Sequence, residues 1–366
     1  MANEKLGLIV LPNYMDRGVS VNEHLSRKLK TDQNFLIPME AHRFANGEGK
    51  VVIHESVRGK NIFLISDVSN YSCTYSLYGY ENHMGPDEHF QDIIRTISAI
   101  SGKAEKITLI MPLMYSSRQH RRNGRESLDC AMALRYLESL GVDNILTFDM
   151  HDPGMMNTIP TGNLDTVFPI FPILDSFIKN EQNAIGRDKM VVIAPDTGAM
   201  NRARKYANVL DLELGLFYKR RDATRIVGGR NPVIQYEYIG PDLTGKSLLI
   251  IDDMIGSGTT IIDVIEILKK KGATQAYVIT TFAFFTEGLD KFDKLHKNGD
   301  LARVYATDAA YIRPELSSAK WFYPVKLTKM IADIIYTLNN NEGMSNVIEP
   351  IQEIKKLLKK YPDITG

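Results

Sequence analysis

The chain is poor in thiols and carries no net charge. Among 366 residues only Cys73 and Cys130 are cysteines, and they lack metal-ligand or redox spacing, which excludes a disulfide scaffold and a CxxC redox or zinc motif. Two reduced thiols fit a cytoplasmic protein. The 44 basic residues are matched by 44 acidic ones, so no global field draws nucleic acid or an anionic membrane, and any anion recognition must be local. No window approaches the roughly 20 apolar residues of a membrane-spanning helix, and MANEKLGLIV lacks the basic and apolar regions of a signal peptide. Low-complexity sequence is absent. The expectation is a soluble cytoplasmic protein that binds neither nucleic acid nor membrane.

What the chain does have is a series of short apolar, β-branched runs: LGLIVL, NIFLIS, KITLIMPL, NILTFDM, MVVIAP, SLLIID, AYVITTF and ARVYAT. Amphipathic patterns at 87–99, 127–140, 201–210 and 260–271 separate most of them. Strands without alternation, interleaved with helices, indicate an α/β fold of mainly parallel sheets flanked by helices. The length suits about two domains on a prior of roughly 100–200 residues each. ILTFDMHD and LLIIDDMI are alike enough to suggest two related units. The expected division is 1–164 and 165–325, with a helix near 326–345 returning to complete the first unit and a helical tail at 346–366. The tail's PIQEIKKLLKKYPDITG has one basic face and reads as a docked or solvated terminal helix.

Ligands of such sheets bind at the carboxyl ends of the strands, which directs attention to FDMHDPG, APDTGAMNR and DDMIGSGTT. In the last, Gly256, Ser257, Gly258, Thr259 and Thr260 lack bulk, so backbone amides can approach a ligand, and a helix beginning near Thr260 adds its positive end. That is a phosphate cradle, although no P-loop spacing or lysine accompanies it. Asp252 and Asp253 just before it can bind sugar hydroxyls or the waters of a hydrated Mg²⁺. The bland alternative is a capped turn. Two surface excursions stand out, SNYSCTYSLYGYENHMGPDEH and the segment from Lys219, Arg220 and Arg221 to residue 246. Long loops on a compact scaffold are often functional, and the first could equally be an assembly surface.

Six motifs in one order, FANGEGKVVIHESVRGKNIFLI, SSRQHRR, GVDNILTFDMHD, VVIAPDTGAMNRAR, KRR and IIDDMIGSGTT, resemble the ribose-phosphate diphosphokinases, a branch of the type I phosphoribosyltransferase fold. The resemblance implies two phosphoribosyltransferase-type domains, and transfer of the diphosphoryl group of ATP to the anomeric hydroxyl of ribose 5-phosphate. On the matching positions it implies that His151 and Asp196 belong to a Mg²⁺–ATP site, with Asp149 either a supporting acid or a partner of loop amides. It implies that Phe44, Asn46 and Glu48 contact adenine, often across a subunit boundary, and that Arg118 and Gln119 meet the nucleotide. Asp252, Asp253 and Gly256–Thr260 hold ribose 5-phosphate on the same implication, and Lys219, Arg220 and Arg221 close over the transferring group from a loop. It also implies a homo-oligomer, hexamers built from dimers and regulated by ADP and phosphate.

The chain departs from the family pattern at His120, Asn46 and Gly256, where relatives usually have aspartate, and in the tyrosine-rich insertion at 71–80. Three other readings compete. A catalytically silent relative would bind nucleotide and regulate a partner, but such a protein should have lost residues such as Lys219, His151, Thr259 and Thr260. A diphosphokinase with another ribosyl phosphate as acceptor fits the Gly256 departure. A base-salvage phosphoribosyltransferase needs only one α/β unit and leaves the upstream motifs without a use.

Overall fold

Each apolar run becomes a strand, and the strands collect into two sheets. The computed structural model describes residues 2–122, 124–159, 163–221 and 233–364, and the chain divides into two units.

The first unit comprises 1–169, 309–311 and 326–350. Its main sheet holds β1 (Leu6–Val10), β2 (Asn61–Ile65), β3 (Lys106–Ile110), β4 (Asn144–Phe148) and β5 (Asn163–Val167), side by side in chain order and all parallel. Successive side chains point to opposite faces, and both faces are covered. Ile9, Ile62, Leu64, Ile107 and Leu109 form one core with Ile93, Ile97, Leu134 and Leu137 of helices Pro86–Ile100 and Asp129–Ser139. On the other face, Val10 fills the space that Gly18 leaves on helix Met15–Leu29. Helix Thr328–Asn339 returns to this side, its Asp333 paired with Lys28 and its Tyr336 ring 4.6 Å beneath the Lys28 ammonium. Burial on both faces is why these strands show no polar alternation in sequence.

The division between units differs from the expected 164/165. That point falls inside β5, whose backbone pairs with β4 from Asn144↔Asn163 to Phe148↔Val167, so the first unit continues to Pro169. The tail expected at 346–366 is itself shared: 346–350 stays with the first unit, and 351–366 belongs to the second. Its helix Ile351–Lys359 buries Leu357 in a core with Ile173, Phe177 and Leu210, a longer-range apolar contact that the basic face obscures in sequence.

The second unit holds β6 (Met190–Ala194), β7 (Glu213–Arg221), β8 (Val233–Ile239), β9 (Ser247–Ile255), β10 (Ala276–Ala283), β11 (Leu301–Thr307) and β12 (Phe322–Val325). Their order is β8-β7-β6-β9-β10-β11-β12, parallel except for the β7/β8 hairpin. Val191, Ile193, Leu248 and Ile250 face Ile261, Ile265 and Leu268 of helix Thr259–Lys269. Met190, Val192, Leu249 and Ile251 face the opposite core with Phe177, Ala203 and Tyr206. Strand order reverses between β6 and β9, because the chain builds outward from β6 on one side and from β9 on the other. In sheets of this kind the crevice at such a reversal is where ligands bind.

At the carboxyl edge of the first sheet, Asn13, Ser66, Asp67, Asn70 and His89 form a buried polar knot. The Asn70 carbonyl, 2.8 Å from His89 Nε2, can only accept, so Nε2 carries the proton and Nδ1 accepts from Asn13 Nδ2 at 3.0 Å. Burial holds His89 below its ordinary 6.5. The unfolded chain therefore takes up a proton near pH 6.5 that the folded chain refuses until lower pH, so this contribution to stability is lost as pH falls through that window. Denaturation midpoints at about pH 7.5 and about pH 5.5 are expected to differ less for His89→Gln than for the parent chain, because glutamine removes the titration.

Both cysteines are free. Cys130 is buried and its thiol is pushed up to about 11 by burial. Among the described residues no helix is long and apolar enough to cross a membrane.

Candidate active site

The sheet of the second unit delivers acids to both sides of its reversal point. Strand β9 does not stop before its acids; it runs through Asp252 and Asp253 to Ile255, with Asp252 opposite Thr280 of β10. Asp253 is 3 % exposed and Asp252 is partly covered. The Asp253 amide donates to Asp252 Oδ1 at 2.9 Å. Burial, then the charges of Asp253 and Asp196, push the Asp252 carboxyl well above the ordinary carboxylate range. That direction is the signature of unbalanced negative charge, since like charges and desolvation both disfavour the ionised form.

Asp196 follows β6 on the other side of the reversal. It is exposed, and its Oδ1 accepts from the Ala199 amide at 3.0 Å, holding the turn that leads into helix Met200–Leu210. The segment APDTGAMNR is singled out in the sequence for its place at a strand end, and its Asp-x-Gly step directly before a helix is this turn.

Beyond Ile255 the chain makes a three-residue turn and enters helix Thr259–Lys269. Gly258 stands at the helix start with φ +86°, a left-handed conformation that disfavours any side chain, and a Cβ there would lie 2.5 Å from Phe292 Cε2. Ser257 Oγ lies 3.1 Å from Thr259 Oγ1, and the first helical bond runs from Ile262 N to Gly258 O at 3.0 Å. The first-turn amides of a helix have no acceptor within it, and together with the dipole they suit an anion. The Gly256 carbonyl accepts from the Thr286 amide at 3.0 Å, tying the turn to the loop after β10.

One expectation changes here. Lys219, Arg220 and Arg221 are the end of strand β7 and not part of a loop. Their backbones pair with Tyr236, Gln235 and Val233 of β8, with an irregularity between Arg220 and Arg221. Polar side chains hid a strand whose order comes from a partner about 15 residues on, since ladder bonds do not depend on side-chain polarity. The segment 222–232 that joins the two strands lies outside the described residues.

In the first unit, His151 follows β4 and is exposed. Asp149 just before it is buried with φ +40°, and its amide donates to the Val167 carbonyl at 3.0 Å. The His151 ring meets His120 edge-on, with centroids 5.3 Å apart. His120 Nδ1 lies 3.2 Å from the Ser117 carbonyl and Nε2 lies 3.5 Å from Asp152 Oδ2. Arg121 also reaches Asp152, at 3.1 Å. Burial alone would raise Asp152, but the Gly154 amide, Arg121 and His120 together hold its carboxyl below the usual value. Asp152 lies in FDMHDPG but is not named among the candidate residues; in the structure it also caps the short helix Pro153–Thr158, accepting from the Gly154 amide at 2.9 Å.

Of the other candidates, Arg118 is exposed, whereas Gln119 is committed to its own loop through Nε2 to the Ser127 carbonyl at 3.1 Å. Phe44, Asn46 and Glu48 share one turn between strands Met39–Arg43 and Gly49–Ile53. Phe44 is 52 % exposed, and Asn46 Oδ1 accepts from the Glu48 amide at 3.2 Å. That bond needs only an acceptor, so asparagine serves the turn as aspartate would. The structure thus groups Asp196 with Asp252 and Asp253 in the second unit, and His151 with His120 in the first.

Hard carboxylate oxygens and an unbalanced negative charge suit Mg²⁺. Among the described residues no three His, Cys, Asp or Glu side chains converge to hold a metal ion by themselves, and Mg²⁺ is commonly bound by one or two carboxylates, waters and substrate phosphates.

A parallel sheet carrying paired acids, a nearly side-chain-free turn and a helix start at its reversal point defines a phosphoribosyltransferase-type α/β protein. The comparisons agree. Residues 162–308 match the phosphoribosyl transferase domain model, and residues 18–141 match the model of the N-terminal domain of ribose phosphate pyrophosphokinase. The chain is 28% identical over 307 residues to a ribose-phosphate pyrophosphokinase of Vibrio parahaemolyticus, covering 83% of this chain and 88% of that one. A protein of the same name from Haemophilus ducreyi is 27% identical over 311 residues, covering 84% and 89%. The fold is that of the phosphoribosylpyrophosphate synthetase from Mycobacterium smegmatis, with a TM-score of 0.74, 21% identity, and coverage of 92% of this chain and 99% of that chain. This chain belongs to the ribose-phosphate pyrophosphokinase family.

Proposed function

We propose that the chain transfers the diphosphoryl group of ATP to the anomeric hydroxyl of ribose 5-phosphate, giving 5-phosphoribosyl 1-diphosphate and AMP. The observation that carries this reading is the junction of Asp252 and Asp253 with the Gly256–Thr260 turn at the sheet's reversal point. The amides and hydroxyls of that turn bind the 5-phosphate, and the two carboxylates accept from ribose hydroxyls, which fixes the sugar at both ends. So held, the anomeric oxygen attacks the β-phosphorus in line as AMP leaves, and most of the acceleration comes from alignment and charge stabilisation.

On the nucleotide side, Phe44 stacks on adenine and Glu48 accepts from its exocyclic amine, while Arg118 meets the polyphosphate from a loop that Gln119 braces through the Ser127 carbonyl. Lys219, Arg220 and Arg221 neutralise charge on the transferring group. Asp196, beside Asp252 and Asp253 in the second unit, would offer Mg²⁺ a carboxylate, and the ion would supply charge neutralisation at the phosphoryl oxygens; His151 would act on the Mg²⁺-bound nucleotide from the first unit. We extend the reading to a cytoplasmic homo-oligomer; two free thiols are in keeping with the compartment.

Incubation with Mg²⁺, ATP and ribose 5-phosphate is expected to release AMP, and Lys219→Ala to lower kcat by roughly 10²-fold or more. If AMP forms only with another ribosyl phosphate, the acceptor is misassigned. If neither acceptor yields AMP and the substitution changes nothing, the reading fails.

A further inference from the structure

The tyrosine-rich excursion that the reaction leaves unused is a β-hairpin, Thr74–Leu77 paired with Tyr80–His83. Tyr78 and Gly79 at its tip have φ +49° and +84°, the two left-handed residues of a tight hairpin turn. Its base is closed by Met84 N donating to Cys73 O at 2.8 Å and by the Tyr71 and His83 rings, stacked 4.2 Å apart. A two-stranded hairpin is at best marginal in water and needs a surface to lean on.

That surface is the Phe44–Glu48 turn. The Tyr78 amide donates to the Ala45 carbonyl at 3.0 Å. Leu77 Cδ1 sits 3.0 Å from where a Cβ on Gly47 would be, and Gly47 has φ +88°. Two residues back along the same strand, the Tyr75 ring lies 5.7 Å from the guanidinium of Arg43, the residue that precedes the turn. Thr74 and Ser76 are exposed while Tyr75 and Leu77 are partly covered, so one face of the strand does the leaning. Arg43 is anchored from below as well, at 2.7 Å from Asp92 Oδ2, and Asp92 Oδ1 holds Arg95 at 2.8 Å. Within the turn, Phe44 N donates to Glu48 O and Gly47 N to Phe44 O, both at 2.8 Å. The strand that leads into the turn is therefore anchored to helix Pro86–Ile100 through Arg43, the turn itself is held by the hairpin, and Phe44 is left 52 % exposed.

We propose that hairpin 74–83 is a positioning element for nucleotide binding: it clamps the Phe44–Glu48 turn from outside and presents Phe44 to the adenine ring. The inference rests on the nucleotide-side reading of Phe44 given above. Leu77 and the Tyr78 backbone are its working contacts, and they never touch the substrate. A base held by a rigid aromatic loses less ordering entropy on binding than one met by a mobile loop, so the clamp shows in affinity for the nucleotide and not in the chemical step.

The test replaces residues 74–83 with Asn-Gly, a two-residue connection that the Cys73–Met84 pairing accommodates. The KM for ATP is expected to rise by roughly tenfold, with kcat and the KM for ribose 5-phosphate within about twofold of the parent. Leu77→Ala in the full chain should give a smaller rise of the same kind. Exchange of the Phe44 and Gly47 amides is expected to accelerate roughly tenfold in the shortened chain without substrate, a readout independent of activity. Unchanged KM for ATP and unchanged exchange, or a fall in kcat alone, would overturn the clamp. Phe44→Ala separates the two claims. If it raises the KM for ATP while the shortened hairpin does not, the clamp fails and the nucleotide reading stands. If Phe44→Ala leaves that KM unaltered, the nucleotide reading of the turn fails, and the clamp's role in binding falls with it.

Discussion

Asp252→Asn is expected to lower kcat/KM for ribose 5-phosphate by roughly 10³-fold, about 4 kcal/mol of transition-state stabilisation. The same substitution should leave the denaturation midpoint unchanged or raise it. The two effects part because Asp252 is held against its own preference, with burial and the neighbouring carboxylates of Asp253 and Asp196 all opposing its ionised form. An asparagine keeps the acceptor for the Asp253 amide and discards the charge. A residue that the fold would be more comfortable without points to function, since strain retained at a site is compensated by what the site does. Paired activity and denaturation measurements check both halves. Loss of activity together with loss of stability would mean that Asp252 serves the fold.

Gly258→Ala is the second large effect. At φ +86° a side chain costs about 1–2 kcal/mol in backbone conformation, and the new methyl group would lie 2.5 Å from the Phe292 ring, which is buried against Phe285 and Trp321. Overpacking of this kind costs about 1–3 kcal/mol. Relief of the clash moves the start of helix Thr259–Lys269 and with it the amides proposed to hold the 5-phosphate. The expected result is a KM for ribose 5-phosphate raised by roughly 10²-fold, a KM for ATP raised far less, and a lower denaturation midpoint. Introducing Phe292→Leu beside Gly258→Ala should recover part of the lost binding by opening space, but not the part owed to backbone conformation. Equal rises in both KM values would contradict a local role for this turn.

The acids and the bare turn were legible in sequence because their chemistry depends on residue type: a turn that brings backbone to a ligand cannot carry bulk, and two carboxylates after an apolar strand have few structural uses. The parallel character of the sheets was legible for the same kind of reason, since strands such as Met190–Ala194 are apolar at every position. What escaped was decided by distant pairing. Lys219–Arg221 is a strand because β8 lies beside it, and residues 163–167 belong to the first sheet because β4 does. Neither fact leaves a mark in local composition. The hairpin at 74–83 looked like a polar loop because the contacts of Tyr78 and Leu77 are with a turn about 30 residues earlier in the chain. His120 is a related case: its substitution for the family's aspartate was visible, but the Ser117 carbonyl, Asp152 and His151 that surround it come together only in the fold.

The central claim concerns which bond of ATP is broken and where its two terminal phosphates go. ATP labelled with ³²P at the β-phosphorus, incubated with Mg²⁺, ribose 5-phosphate and the purified chain, tests it most directly. The label is expected in 5-phosphoribosyl 1-diphosphate, one labelled product for each AMP formed, with none in ADP. Label recovered in ADP or inorganic phosphate, or AMP released without labelled sugar, would contradict the account.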